Sequence, residues 1–140
     1  MIVLDTTVLV YAVGDQHRQR DACREILRAQ ARGAIDAVTT IEVIQEFAHV
    51  RARRRGRSDA VALARDYAVA LRLLIPTADD LELGLSLYEA HPSLGAFDAI
   101  LAATALNHDA RALISADRGF STVPELRWIG PTSPALRDLL

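Results

Sequence analysis

Short apolar segments alternate along the chain with longer segments in which apolar residues recur every three or four positions. The first apolar segment, 1–4, is β-branched and ends at Asp5, which predicts a buried strand leading into a turn or short helix. Asp15 is placed to cap a helix over 17–32. A second short strand is predicted over 34–39.

The middle of the chain is predicted to be mainly helical. Thr40 is placed to cap a helix that continues to Arg55, where a glycine follows. Ser58 is placed to cap the next helix, which has a regular apolar face. The end of that segment, 73–75, could instead form a strand, because Pro76 terminates any helix there.

The same alternation continues to the end of the chain. Residues 77–80 resemble a capping box for a helix that ends at Ala90, and a further helix is predicted over 96–108. Strands are predicted at 112–115 and 127–129. Strands that alternate with helices predict an α/β fold with a mostly parallel sheet between helical layers. In such folds ligands collect at the carboxyl ends of the strands.

Composition limits the class of protein. The 140 residues suit one domain, 1–140, and 51% hydrophobic with 24% charged residues excludes a disordered chain. Cys23 stands alone, which excludes a disulfide framework within the chain and a zinc-finger spacing. The net charge of −2 excludes a strongly basic nucleic-acid coat but not a local basic patch. The opening apolar stretch has no basic flank and fits neither a signal peptide nor a membrane span, so we expect a cytoplasmic protein.

Five acidic residues occupy positions that suit chemistry. Asp5 ends the first predicted strand and Asp117 follows the fourth, so both should lie at the carboxyl ends of strands. Asp98 lies in the first turn of a predicted helix whose other faces are apolar. Glu42 and Glu46 are four residues apart and therefore share one helix face.

Carboxylates in apolar surroundings are costly unless positive charge neutralises them. The chain has no lysine, and no arginine adjoins Asp5, Glu46 or Asp98 in sequence. A divalent cation is the remaining counter-charge, and Mg²⁺ or Mn²⁺ prefers carboxylate and water oxygens. Four converging acids would suit one or two such ions, which activate water and stabilise an in-line phosphoryl displacement.

Each acid also has a purely structural interpretation. Asp5 could cap the next helix, and Asp98 could complement a helix dipole. Asp117 could belong to a turn with a solvent-exposed salt bridge, while Glu42 and Glu46 could be solvated surface residues. The set favours a functional site because all of these interpretations would have to hold at once.

Four motifs resemble those of the PIN-domain ribonucleases, and more narrowly the VapC-type toxins of bacterial VapBC toxin–antitoxin pairs. They are a hydrophobic strand ending in Asp-Thr at 2–6, a Thr-initiated helix with an acid six residues later at 39–47, an Asp-initiated apolar helix at 97–106, and a Ser-x-Asp-x-x-Phe segment at 115–120. The resemblance covers essentially the whole chain. It implies a PIN-like three-layer α/β/α sandwich with a short, mostly parallel sheet.

The resemblance also implies an activity and partners. The activity is that of a Mg²⁺-dependent endoribonuclease, with Mn²⁺ as a substitute, and with Asp5, Glu46, Asp98 and Asp117 around the metal. Spacing from the preceding threonine favours Glu46 over Glu42 as the second acid, and Glu42 stays as the alternative. The implied partners are RNA, a second copy of the chain, and a VapB-type antitoxin that blocks the pocket, often with an arginine directed at the acids.

Two positions depart from the family pattern. Thr40 stands where serine is more usual, which retains the hydroxyl. Gly119 lies where a second Asp or Asn often follows Asp117, which makes a second metal position doubtful. The hydroxyls of Thr6 and Ser115 could orient metal-bound water or cap helices, and capping is the commoner role.

A basic segment follows the second acidic motif. It supplies candidate contacts to RNA phosphates, namely Arg51, Arg53, Arg54, Arg55 and Arg57. The alternatives are a solvated helix end whose cations complement the dipole, and a contact with acidic residues of an antitoxin. His49, three residues after Glu46, is either a helper group or a surface residue.

Two other functions are alternatives to the nuclease. Aspartyl-phosphate phosphatases of the haloacid dehalogenase type also begin with a strand that ends in Asp. Their second Asp is Thr7 here, and no lysine is present to hold a phosphate. The other rival is a degenerate PIN-like module that binds RNA or protein without catalysis, although all four candidate acids are present.

Overall fold

The computed structural model describes residues 1–140 and contains one five-stranded sheet. All neighbouring strands run parallel, in the order β3-β2-β1-β4-β5. The strands are short and apolar, as the sequence predicts: β1 Ile2–Leu4, β2 Ala37–Thr40, β3 Arg72–Leu74, β4 Leu113–Ile114 and β5 Trp128–Ile129.

Six α-helices cover the sheet: α1 Thr6–Val13, α2 Arg20–Ala31, α3 Ile41–Arg55, α4 Arg57–Ala70, α5 Ala78–Ala90 and α6 Ala96–Asn107. Two 3-10 helices follow, Arg118–Thr122 and Pro134–Asp138. Helices α1 to α4 pack against one another, and α5 packs against α6. The first two crossovers advance in one direction along the sheet and the third returns, so right-handed connections put the two groups of helices on opposite faces. The predicted three-layer α/β/α fold is confirmed.

The strand order reverses between β1 and β4, and the candidate acids follow these two strands. Val3 pairs with Leu113 and Leu4 pairs with Ile114, so the residues that come next, Asp5 and Ser115, emerge side by side. A crevice at the carboxyl ends of the strands, where the order reverses, is the usual ligand site of an open parallel sheet.

The two central strands β1 and β4 are buried on both faces, which explains why they are continuous apolar runs rather than alternating ones. Val3, Leu4, Val38 and Leu113 have no exposed surface. Helix α6 is rich in alanine and approaches α5 closely at Gly84, where a β-carbon would lie 2.9 Å from the Cα of a residue on α6. The core thus fixes α6, and with it Asp98, against the rest of the fold.

Some predicted helix caps are confirmed and two are wrong. Thr40 accepts a hydrogen bond from the Val43 amide at 3.3 Å, and Thr77 forms the predicted capping box with Asp80. Asp15 does not cap α2, which begins at Arg20. Ser58 does not cap α4 either, because that helix begins one residue earlier, directly after a glycine with a φ of 89° that also ends α3. No helix is both long and apolar enough to cross a membrane.

Candidate active site

Asp5 is the most firmly held of the candidate acids. It is 3% exposed and caps α1, as its structural interpretation predicts. Its Oδ2 accepts hydrogen bonds from the Thr7 amide at 3.2 Å, the Thr7 hydroxyl at 2.7 Å and the Ser115 hydroxyl at 2.6 Å. All of these bonds end on Oδ2, so Oδ1 is available to a ligand. Capping and a functional role are therefore compatible.

The same hydroxyls join the ends of β1 and β4. The Ser115 hydroxyl accepts a hydrogen bond from the Asp117 amide at 2.9 Å, and Thr7 Oγ1 accepts one from the Ala116 amide at 3.0 Å. Ser115 therefore connects two of the acids instead of capping a helix. Asp117 is exposed and begins a 3-10 helix, where its Oδ1 accepts from the Gly119 amide at 2.7 Å.

Glu46 reaches the site from α3. Its Oε2 accepts a hydrogen bond from the Thr6 hydroxyl, so Thr6 orients this carboxylate and is not a capping residue. Glu42 lies one turn earlier on α3 and makes no such contact. It lines a neighbouring cavity of about 380 Å³ together with Asp5, Glu46 and Asp98, and His49 lies in the wall of that cavity.

One cleft of about 270 Å³ has four of the five candidate acids in its wall: Asp5, Glu46, Asp98 and Asp117. We call it the acid cleft. Glu42 does not line it. None of these four acids forms an ion pair with an arginine or with the amino terminus.

Burial and the crowding of these acids shift the pKa of Asp98. No hydrogen bond from the protein reaches its carboxylate. Burial and the negative charges of Asp5, Asp117 and Glu46 raise its pKa from 3.8 to about 7. At neutral pH the carboxylates of the acid cleft thus outnumber its one arginine, Arg54, which forms no ion pair with any of them.

These side chains suit a divalent cation by their chemistry. No group of three or more acidic, histidine or cysteine side chains is arranged to hold one ion directly. Mg²⁺ usually takes only one or two carboxylates and keeps several water ligands, so a cleft with uncompensated carboxylates satisfies its requirements. The excess of negative charge in the acid cleft is the observation that favours a cation.

Steric crowding explains why residue 119 is a glycine. A β-carbon at this position would lie 2.6 Å from the Ser93 carbonyl oxygen and 3.2 Å from Asp117 Oδ1. The loop before α6 thus occupies the space that a side chain would need, and Asp117 is the only carboxylate that this segment contributes to the cleft.

The basic segment divides into two parts. Arg51 is only 15% exposed, and its guanidinium donates to both carboxylate oxygens of Asp59 and to the Val13 carbonyl. Its hydrogen bond lowers the pKa of Asp59. The Arg51 guanidinium is thus engaged by Asp59 and Val13, and no face of it is free for the RNA contact predicted from the sequence. Arg54 is exposed and lines the acid cleft, which the sequence could not indicate.

Comparison with known proteins identifies the family. The family model for the PIN domain matches residues 2–126. The chain belongs to the PIN-domain family. It is 49% identical to Ribonuclease VapC7 of Mycobacterium tuberculosis, with all of this chain and 98% of that protein aligned. It is 30% identical to Ribonuclease VapC13 of the same species over 91% of this chain and 98% of the relative. The resemblance drawn from the four motifs is confirmed.

Solved structures share the fold of this PIN domain. The crystal structure of VapC20 from Mycobacterium tuberculosis, a sarcin-ricin loop cleaving toxin, superposes with a TM-score of 0.74 at 22% identity, covering 91% of this chain and 99% of that one. VapBC2 from Rickettsia felis, bound to a DNA fragment from its promoter, gives a TM-score of 0.74 at 18% identity, covering 93% and 98%. At these identities the likeness establishes the fold.

Sequence reasoning missed Thr7 in this PIN domain. Its hydroxyl contacts Asp5 and the Ala116 amide, and so connects α1 to the segment after β4. The available signal was its position two residues after a strand-ending Asp, which is the spacing of a helix-capping interaction. The contact with Ala116 depends on the register of β1 and β4, which no local pattern shows.

Proposed function

We propose that this PIN domain is a divalent-metal-dependent endoribonuclease and the toxin component of a type II toxin–antitoxin pair. The observation that carries the proposal is the acid cleft, where four carboxylates form no ion pair, and where burial and the charges of the other three raise the pKa of Asp98 to about 7. Relatives of high similarity support it, since VapC7 and VapC13 are named ribonucleases. Such a protein would work in the cytoplasm, where its RNA substrates are.

Asp5, Glu46, Asp98 and Asp117 would hold Mg²⁺, with Mn²⁺ as a substitute. A divalent ion there supplies positive charge that lowers the pKa of water and offsets negative charge on a reacting phosphate. Glu46 is preferred to Glu42 as the second acid because Thr6 orients its carboxylate, and because it is among the charges that raise the pKa of Asp98. Glu42 shares only the neighbouring cavity with Asp5, Glu46 and Asp98.

The surrounding hydroxyls keep these carboxylates in place. Ser115 and Thr7 fix Asp5 through Oδ2, which leaves Oδ1 without a hydrogen bond from the protein. The Thr6 hydroxyl fixes Glu46 by donating to its Oε2. Because Asp5 and Glu46 are oriented before any ligand arrives, these two carboxylates need little reorganisation on binding.

The RNA phosphates require a positive contact near this negative cleft. Arg54 lies in the cleft wall, and Arg53, Arg55 and Arg57 are exposed on either side of it along the chain. Arginine binds phosphate oxygens with two parallel hydrogen bonds, so these residues suit the substrate backbone. Of these four arginines, only Arg54 lines the acid cleft.

RNA cleavage by the isolated protein tests the proposal. Wild type should cut RNA with Mg²⁺ or Mn²⁺ and stop in EDTA. Asp98→Asn should lose cleavage but keep its fold, because the amide preserves shape and removes the charge. Glu125→Gln, an exposed change in a loop, is the matched control and should cut normally. A folded wild type that binds RNA but cuts none with either metal would instead indicate a binding module.

We also propose a VapB-type antitoxin and a second copy of the chain as partners. Several solved neighbours are toxin–antitoxin complexes, among them VapBC-1 from nontypeable Haemophilus influenzae. Helix α5 has an exposed apolar face, formed by Leu81, Leu85 and Tyr88, of a kind that protein partners cover. Light scattering of the purified chain, alone and with its antitoxin, would measure both assemblies.

A further inference from the structure

A second cavity lies beside the acid cleft, between the end of α1 and the carboxyl-terminal half of α3. It measures about 500 Å³, which is within the range of cavities that hold small ligands. Three residues, Val10, Val50 and Arg54, line both this cavity and the acid cleft, so the two are adjacent. We call it the basic cavity.

The charge of the basic cavity is opposite to that of the cleft. Arg51, Arg54 and Arg55 line it against a single carboxylate, that of Asp15. Arg51 is occupied by its contacts within the fold, whereas Arg54 is exposed and makes no ion pair or side-chain hydrogen bond in the protein. The rest of the wall includes Val10 and Val50, which are half-buried, whereas Phe47 has no exposed surface. The cavity thus combines arginine with apolar surface.

Arg55 has an internal partner that a ligand would have to displace. Its guanidinium donates to Asp15 at 2.8 Å, and the two side chains are 52% and 91% exposed. An ion pair this exposed contributes little to stability, because water and salt screen it. Asp15 lies in the loop after α1 and has no other polar partner. Asp15 therefore pairs with Arg55 but contributes little to the stability of the fold.

We propose that the basic cavity binds a nucleotide of the RNA next to the cleaved phosphate, with a backbone phosphate between Arg54 and Arg55, and that Asp15 competes with this phosphate for Arg55. The proposal rests on the proposed function, since the strand would enter from the acid cleft. The acids repel phosphates, so a substrate that passes through the cleft needs an arginine contact beside it. The apolar wall suits a base or ribose of the same nucleotide.

The competition makes an unusual expectation testable: removing an acid outside the cleft should tighten RNA binding. The assay is fluorescence anisotropy of a labelled single-stranded RNA with Asp98→Asn protein, which should bind without cutting. In this Asp98→Asn background, the further substitution Asp15→Asn should lower the Kd for RNA by about threefold. That factor corresponds to the free energy of one exposed ion pair. Arg54→Ala and Arg55→Ala should raise the Kd, and each should reduce the slope of log Kd against log salt by about 0.7.

A double variant and a charge-matched control separate competition from net charge. In an Arg55→Ala background, Asp15→Asn should leave the Kd unchanged, because the contested guanidinium is gone. Glu125→Gln removes the same charge from an exposed loop and should change the Kd much less than Asp15→Asn does. Equal effects of Asp15→Asn and Glu125→Gln, or an effect of Asp15→Asn that persists without Arg55, would overturn the competition.

Cleavage by the wild type, measured in parallel, distinguishes failure of this inference from failure of the proposed function. If the wild type cleaves RNA while the Arg54 and Arg55 variants bind it with unchanged Kd and salt slope, the basic cavity is not an RNA site and the nuclease stands. If those variants instead lose binding to an antitoxin, the cavity belongs to a protein partner, which also overturns the inference. If the wild type neither binds nor cuts RNA, both proposals fall.

Discussion

Replacement of Asp98 by asparagine should make the metal-free protein more stable at neutral and alkaline pH. In the folded state, burial and the charges of Asp5, Asp117 and Glu46 raise the pKa of Asp98 from 3.8 to about 7. An acid whose pKa is raised on folding binds its proton more tightly in the folded state. Its unfavourable contribution is therefore absent below about pH 4, grows as the pH rises, and is complete above about pH 7.

The size of this effect follows from the shift. Each pKa unit corresponds to about 1.4 kcal/mol, so a shift of this size has a ceiling of about 4 kcal/mol. Asp98 is only partly buried, and water screens part of the interaction. We therefore expect the free energy of unfolding of Asp98→Asn to exceed that of the wild type by about 2 kcal/mol at pH 8 and by almost nothing at pH 4.

Urea unfolding in EDTA, from pH 4 to pH 8, measures this difference, with the fluorescence of Trp128, the only tryptophan, as the signal. Asp80→Asn is a control of opposite sign. Burial opposes ionisation of Asp80, but hydrogen bonds from Thr77 and Asn107 outweigh it and hold its pKa below the usual value. Asp80→Asn should therefore destabilise the protein by a nearly constant amount from pH 4 to pH 8, because both the ordinary pKa of 3.8 and the lowered one lie below that range.

The result that would refute the reasoning is a pair of parallel curves for wild type and Asp98→Asn across the whole pH range. That outcome would mean that neither burial nor the neighbouring carboxylates disfavour the charged form of Asp98 in the folded protein. Added Mg²⁺ provides a second check, because it should stabilise the wild type more than the variant if the ion binds the folded state through Asp98.

Two further predictions concern the second acid and the packing of α6. Glu46→Gln should reduce cleavage far more than Glu42→Gln, since only Glu46 lines the acid cleft; an equal or larger loss at Glu42, in rates measured under saturating metal, would reverse the assignment. Gly84→Ala should lower the free energy of unfolding by about 1–3 kcal/mol despite a better helix propensity, because its β-carbon would lie 2.9 Å from the Ile100 Cα. Ser86→Ala, on the exposed side of α5, should cost nothing comparable in the same denaturation assay.

The sequence predicted the order and type of the elements because local signals and tertiary packing agree over most of the chain. The cap at Thr40 and the capping box at Thr77 are examples, since each uses atoms at most three residues apart. The predicted cap at Asp15 failed for the opposite reason. Its carboxylate pairs with Arg55, which is forty residues away and reaches it only through the packing of α3 beside α1.

The acids of the site could be selected from the sequence, but the groups that orient them could not. Thr6 and Ser115 resemble local capping residues, and only the fold shows that they donate to Glu46 and Asp5, which lie 40 and 110 residues away. The basic segment gives the same lesson. Five arginines look equivalent in sequence, yet Arg51 is bound within the fold while Arg54 lines the acid cleft.

The charge imbalance of the acid cleft connects the proposed metal and the proposed antitoxin. A divalent ion and the guanidinium of a partner arginine would each supply the positive charge that Asp98 lacks, and both would do so by contacting the same carboxylates. The two should therefore exclude each other from the cleft. An antitoxin that inserts an arginine would remove the metal and at the same time relieve the repulsion that raises the pKa of Asp98. Inhibition and stabilisation of the toxin would then arise from one contact, whereas the free protein without metal would keep the full repulsion.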